Sequence, residues 1–135
     1  MANKFHLDIY TPVGKYFSGD VEYLEVRNSD SVLGIMAGHI PLISTLITYP
    51  IKIRFKGRTR VYASTGGLLR IDNKRDVTLM LNTIERGDEI DLDRARRAKE
   101  RAEKRIEENL GDQERAKAAV ERAENRIKAA EEDKK

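Results

Sequence analysis

The chain has no cysteine, which excludes disulfides, thiol nucleophiles and thiolate metal sites. Its two histidines, His6 and His39, are too few for a conventional zinc centre. No stretch approaches the ~20 apolar residues that a helix needs to cross a bilayer. The opening MANKFHLDIY carries neither a long apolar run nor a signal-peptide cleavage pattern, so the expectation is a soluble, cytoplasmic protein. Three prolines and nine glycines are too few for a low-complexity chain. A strong excess of one charge is also missing. Residues 1–87 hold 12 Lys and Arg against 8 acids, and residues 88–135 hold 14 against 15. An Arg-rich tail that is nearly neutral is a poor candidate for nonspecific duplex binding, although local arginine clusters remain available for a specific anion.

The 135 residues, 39% of them hydrophobic, suffice for one ordinary domain or two small ones. The first half reads in steps of two. FHLDI puts Phe5, Leu7 and Ile9 on one side, IKIRF does the same with Ile51, Ile53 and Phe55, and VTLML with Val77, Leu79 and Leu81. This is the alternation of a half-buried antiparallel sheet. Breaks at TPVGK, RNSDS, MAGHIP, FKGR, STGG and DNKRD carry turn residues. Nine or ten short strands between such breaks predict a β-sandwich or flattened barrel over residues 1–87. VEYLEV breaks the alternation, which predicts a bulge or a strand that serves two faces.

At ERGDEIDLD the period changes. Asp91 or Asp93 can cap the start of a helix, and Leu92, Ala95, Ala98 or Ala102, Ile106 and Leu110 mark one helical face. Gly111 suits a left-handed stop, and Asp112 is an N-cap for a second helix striped with Ala116, Val120, Ala123, Ile127 and Ala130. Residues 88–135 are therefore expected to form two helices that fold back as an antiparallel hairpin or separate at the break. The hairpin seam is alanine, which contributes little apolar area. The helices should form readily and grip each other weakly.

The charged start of the first helix has two readings. Asp91 is either an N-cap or a hydrogen-bond acceptor for a ligand amino or hydroxyl group. Arg94 and Arg101 are two turns apart, with Arg97 and Arg105 near the same sector, and Arg115, Arg122 and Arg126 follow a similar rhythm. They make either a solvated face or, if the hairpin closes, two rows converging on a polyphosphate, which guanidinium forks suit. No glycine-rich loop ends in Lys-Ser or Lys-Thr, and no carboxylates are arranged for magnesium, so nothing predicts ATP hydrolysis by this chain. STGGLLRI resembles a phosphate loop only in its glycines and reads as a tight sheet turn. His39 lies in LGIMAGHIPLIS without a nucleophile or acid placed to use it. That apolar stretch reads as a turn or docking surface. On residues alone, a general protein-interaction module with a charged helical arm remains an alternative, ahead of a nucleic-acid-binding hairpin.

The stretches LDIYTPVGKYFSGDVEYLEV, LGIMAGHIPLIS, ASTGGLLRI and IERGDEIDLDRARRAKERAEKR, in this order and spacing, resemble the epsilon subunit of bacterial F-type ATP synthase over essentially the full chain. Ala37 stands where the middle motif often has proline. The resemblance implies a ten-stranded sandwich and a helical hairpin in a noncatalytic rotor subunit. The sandwich would dock on the gamma subunit and the c-ring, with the apolar turn of His39, Ile40 and Leu42 in its lower contact surface. The hairpin would lie folded or extend towards the alpha and beta subunits and inhibit ATP hydrolysis. It also implies a peripheral position on the cytoplasmic face of the bacterial membrane and no nucleic-acid partner. IDLDRA, residues 90–95, matches the Ile/Leu-Asp-x-x-Arg-Ala pattern of members that bind regulatory ATP. By that resemblance Ile90 and Asp91 lie by the adenine, with Asp91 accepting from its amino group, Arg94 and Ala95 lie on the ligand side, and Glu85 is a nearby polar contact. Arg101, Arg122 and Arg126 surround ribose and phosphates, and Arg115 assists electrostatically. Mg2+, where it accompanies the nucleotide, has no dedicated protein ligand.

Overall fold

A computed structural model describes residues 3–134. Ten strands form two five-stranded sheets. The first contains β1 (Phe5–Thr11), β2 (Gly14–Val21), β5 (Leu42–Leu46), β8 (Gly67–Ile71) and β9 (Val77–Leu81), in the order β2-β1-β9-β8-β5. The second contains β3 (Tyr23–Arg27), β4 (Val32–Ile35), β6 (Ile51–Phe55), β7 (Arg58–Ser64) and β10 (Ile84–Arg86), in the order β10-β7-β6-β3-β4. All pairings are antiparallel except β1 with β9, which run parallel. The sheets face each other across Leu7, Ile9, Leu24, Ile35, Leu69 and Leu79, each fully buried. Burying each such side chain stabilises the sandwich by roughly 1.5–3 kcal/mol.

The irregular VEYLEV is a corner. Val21 closes β2 in the first sheet, Glu22 bends, and Leu24 and Val26 enter the core from the second sheet. The Glu22 carboxylate accepts from the Gly57 amide at 2.7 Å and so ties the corner to the β6–β7 turn. STGG is another place where the chain changes sheets, from β7 to β8. A Cβ on Gly67 would stand 2.0 Å from the Met80 carbonyl oxygen, so the residue is required by close backbone approach.

His6, on the exposed face of β1, lies 3.2 Å from Asp20 and 3.1 Å from Asp8. The hydrogen bond to Asp20 raises its pKa, with Asp8 adding to the shift against partial desolvation. A histidine whose folded pKa lies above its unfolded value stabilises the fold fully below about pH 6.5. That contribution is lost as pH rises through the raised folded value. Solvent screening should hold the effect under about 1 kcal/mol. Urea midpoints measured from pH 5 to 8 should fall across this window, and His6→Gln should flatten the fall.

Past β10 the chain leaves the sheet through a short 3-10 turn (Gly87–Glu89) and enters α1 (Leu92–Glu107). Asp91 caps α1 by accepting from the Arg94 amide at 3.1 Å. Asn109 (φ 54°) ends it, with the Leu110 amide donating back to the Arg105 carbonyl at 2.9 Å in a Schellman arrangement. Leu110, expected on the buried stripe, is therefore outside the helix and exposed. Gly111 is left-handed at φ 66°, as anticipated. Asp112 then caps α2 (Gln113–Asp133) by accepting from the Glu114 and Arg115 amides. No helix among the described residues is long and apolar enough to cross a membrane.

Candidate functional site

The helices return antiparallel, with Arg96 near the start of α1 paired to Glu131 near the end of α2 at 3.2 Å. Ala95 and Ala102 of α1 and Ala116, Ala123 and Ala130 of α2 are buried. Each methyl contributes only about 0.8 kcal/mol on burial, and their small size leaves grooves between the helices.

α2 has a second working face. Asn125, Ala129 and Asp133, four residues apart, sit over β7 and the 3-10 turn. The Asn125 amide nitrogen donates to the Ser64 carbonyl at 2.9 Å. Asp133, its side chain 3% exposed, accepts from the Val61 amide at 2.8 Å and from Arg60 at 3.1 Å. β10 pairs with β7 only as far as Arg86 opposite Tyr62, so the Asp133 carboxylate takes over where strand pairing stops. Arg60 also meets Asp88, which Arg86 holds below the usual carboxylate range. Lys128 donates to the Tyr49 hydroxyl, while Arg27 and Lys128 lie over its ring at 4.8 and 4.5 Å. That contact holds the Tyr49 hydroxyl below its ordinary pKa.

Between the helices, towards the hairpin tip, a cleft of about 370 Å3 is lined by Arg101, Arg105, Arg115, Arg122 and the single carboxylate of Asp112, over an alanine floor. The hairpin's ion pairs use Arg96, Lys104, Lys117 and Arg126. None of the four cleft arginines is paired among the described residues. The neighbouring cleft, of about 540 Å3, lies between the hairpin and the β7–β10 edge and is bordered by Ala95, Ala123, Asn125, Arg126, Glu85 and Thr83. Ala98, Ala119 and Arg122 line both clefts, which makes them continuous. One groove therefore has an apolar end and a cationic end.

Six of the nine sequence-derived residues line this groove, and Ile90, Asp91 and Arg94 do not. Ala95 (fully buried), Glu85, Arg122 and Arg126 line the apolar end, where Glu85 and Arg126 form a bidentate ion pair at 2.9 and 3.1 Å. Arg101, Arg115 and Arg122 meet at the cationic end. Ile90 packs beneath the groove with Val61, Ala63 and Ala129. Asp91 and Arg94 are exposed at the helix start, with one Asp91 oxygen engaged in capping. Lining residues outside the expected set include Arg105, Asp112 and Asn125. Arg105 follows Arg101 by one turn, a spacing visible in the sequence. Asn125 had no sequence signal as part of the site. Among the described residues no group of three or more His, Asp or Glu could hold a metal ion.

At the far end of the sandwich, Met36, Ile40 and Ile43 are each more than 60% exposed. His39 is a turn residue there, its Nδ1 donating to the Ile40 carbonyl at 2.9 Å.

Residues 4–87 match the family model for the beta-sandwich domain of the ATP synthase delta/epsilon chain, and residues 88–131 match that for its long alpha-helix domain. The ATP synthase epsilon chain of Desulfitobacterium hafniense is 39% identical over 112 residues, spanning 82% of this chain and 83% of the relative. That of Caldicellulosiruptor bescii is 40% identical over 107 residues, spanning 79% and 77%. That of Bacillus pumilus is 36% identical over 100 residues, spanning 74% and 76%. The fold is shared with a chain of the mitochondrial ATP synthase of Euglena gracilis, at TM-score 0.72 and 18% identity over 95% of this chain and 78% of that one. It is also shared with a chain from the central stalk and c-ring of the Tetrahymena thermophila enzyme, at TM-score 0.64 and 18% identity over 95% and 97%.

Proposed function

This chain belongs to the ATP synthase delta/epsilon chain family, and we propose that it is the noncatalytic epsilon subunit of a proton-translocating F-type ATP synthase, with a hairpin that senses ATP. The sandwich docks on gamma and the c-ring, and the exposed apolar turn of Met36, Ile40 and Ile43 supplies part of that contact. The subunit couples ring rotation to the catalytic head and sits peripherally, through the complex, at the cytoplasmic face of the membrane. Released from the sandwich, the hairpin extends towards alpha and beta and inhibits ATP hydrolysis.

The observation that carries the sensing role is the meeting of four unpaired guanidinium groups at one end of an alanine-walled groove. Like charges gathered this way repel one another, and a polyphosphate converts the repulsion into charge-assisted hydrogen bonds. The alanine end offers the flat apolar space that a base needs. Magnesium arriving with the nucleotide is held by the phosphates. Because both helices and the β7–β10 edge wall the groove, ATP binds the compact hairpin and draws population away from extension. At 100 times its dissociation constant, the gain reaches up to ~2.7 kcal/mol if the extended form does not bind.

Calorimetry on the isolated chain, together with the distance between dyes on the β6–β7 turn and near Lys134, tests this. ATP should bind and narrow the distance distribution towards the compact value. A chain that binds no ATP at millimolar concentration, or binds it with no change in a mixed population of distances, rules the sensing role out.

A further inference from the structure

One side of the sandwich carries a cleft that belongs neither to the nucleotide groove nor to the Met36–Ile40–Ile43 turn. β2 and β10 are the edge strands of the two sheets on that side. Between the sheets there lies a half-open cleft of about 350 Å3, with Tyr16 and Phe17 on β2 and Phe55 and Tyr62 on the facing sheet. The rings pack edge to face, Phe17 against Phe55 at 5.3 Å and Tyr16 against Tyr62 at 6.3 Å. Successive residues of a regular strand point to opposite faces. Here Ile9 stands opposite Phe17 and Tyr10 opposite Lys15, so Tyr16 is the extra residue of a β-bulge. The bulge re-aims Tyr16 into the same cleft as Phe17 and leaves it 41% exposed. It also breaks the regular edge of β2, which disfavours the addition of a partner strand there.

The polar groups of the cleft favour an anion. Arg58, Arg60 and Arg86 belong to its lining, and no carboxylate does. Arg60 is shared by Asp88 and Asp133, and Arg86 is held by Asp88 and Glu89. Arg58, opposite Phe55 in the β6–β7 hairpin, is exposed and pairs with no acid among the described residues. Partial burial raises the pKa of the Tyr16 and Tyr62 phenols, so both stay protonated and able to donate. A half-open cleft encloses too little of a free small molecule to hold it well. Hollows rich in tyrosine and arginine are instead where a partner protein seats an anchor side chain.

We propose that this cleft docks a partner protein through an acidic segment, whose large apolar side chain enters beside Tyr16, Phe17 and Phe55 while an adjacent carboxylate pairs with Arg58. The aromatic walls set the need for the apolar anchor, and the unspent guanidinium at the rim sets the sign of its neighbour. The surface lies on the opposite side of the sandwich from β4 and β5, which flank Ile40, so both surfaces can be occupied together. It shares no lining residue with the nucleotide groove, and the inference stands whether or not that groove holds ATP.

The probe is the peptide acetyl-Asp-Glu-Phe-Glu-Asp-amide, titrated into the isotope-labelled full chain while backbone amide resonances are followed. Saturable shifts should centre on Tyr16, Phe17, Phe55 and Tyr62. Replacing the peptide's phenylalanine by alanine should weaken binding at least about tenfold, the scale of losing one buried aromatic side chain. Arg58→Glu in the chain should weaken it about threefold or more, because repulsion replaces attraction at a rim charge, and Arg58→Lys should retain most of the affinity. Arg58 is exposed and outside the core, so both variants should keep the fold. Shifts that collect on the hairpin arginines instead, or that do not saturate at millimolar peptide, overturn the assignment. Equal binding of the phenylalanine and alanine peptides also overturns it, since the contact would then be one of charge alone.

Discussion

Arg122→Ala is expected to weaken ATP binding by roughly 10- to 150-fold, the equivalent of about 1.5–3 kcal/mol for a hydrogen bond to a charged group. Arg122 lines both the cationic and the apolar ends of the groove, so one side chain reaches the junction where base, ribose and phosphates would meet in the proposed complex. Its fork can hold two phosphate oxygens at once. The substitution also removes one of four gathered cations, which slightly relieves the empty hairpin and lowers the advantage ATP has to offer. Both effects weaken binding. Arg97→Ala is the control: Arg97 is exposed and borders neither cleft, so its affinity should change less than twofold. The sandwich core contains neither residue, and its melting should be unaltered in both variants. Equal ATP affinity in Arg122→Ala and the unaltered chain would remove the groove from consideration as a nucleotide site.

Much of this was legible because local periods carried it. Phe5, Leu7 and Ile9 alternate, and all three are buried. Gly111 and Asp112 mark the turn between helices, and they serve there as a left-handed residue and an N-cap. The recurrence of Arg101, Arg115 and Arg122 also read through, since helical spacing fixes which residues share a face. The rest depended on contacts between distant segments. Asn125 and Asp133 look like solvated helix residues until β7 is brought beneath them. No periodicity records that β10 stops at Arg86 and leaves the Val61 amide for another acceptor. Leu110 misled because its spacing fits the stripe, while Asn109 ends the helix just before it.

The attachments of α2 are of the kind that the proposed release of the helix requires. Asn125, Arg126, Lys128 and Asp133 hold it by hydrogen bonds and ion pairs, and water can replace every one of these when the helix departs. A leucine-lined interface would expose large apolar surface instead and would resist release. Alanine at positions 129 and 130 packs closely against Val61 and Ala63, giving shape fit with modest area. The compact state is therefore specific without being deeply bound, which is what a ligand worth a few kcal/mol can regulate.

Gly87→Val should undock the end of α2 while sparing the sandwich. A Cβ at position 87 would lie 2.6 Å from the Ala129 carbonyl oxygen, 2.6 Å from the Asp133 Cβ and 2.9 Å from the Val61 carbonyl oxygen. Two of these three are backbone atoms, on α2 and on β7, so no side-chain rotation relieves the clash. The helix must lift, and lifting it separates Asp133 from the Val61 amide and from Arg60. Asp133→Ala removes the same bonds without the clash. It leaves the Val61 amide short of its acceptor at a cost of about 1–3 kcal/mol where water cannot reach it. The dye-to-dye distance should therefore lengthen in Asp133→Ala and lengthen further in Gly87→Val. ATP should shift both back towards the compact value, more completely in Asp133→Ala. In the assembled enzyme the order of inhibition of ATP hydrolysis should follow the order of extension, with Gly87→Val inhibiting most. Unchanged distances in Gly87→Val would mean that α2 does not rest on the 3-10 turn in solution. A lengthened distance without deeper inhibition would instead separate release of the helix from control of the enzyme, because the docking contacts would then be lost with no effect on the head.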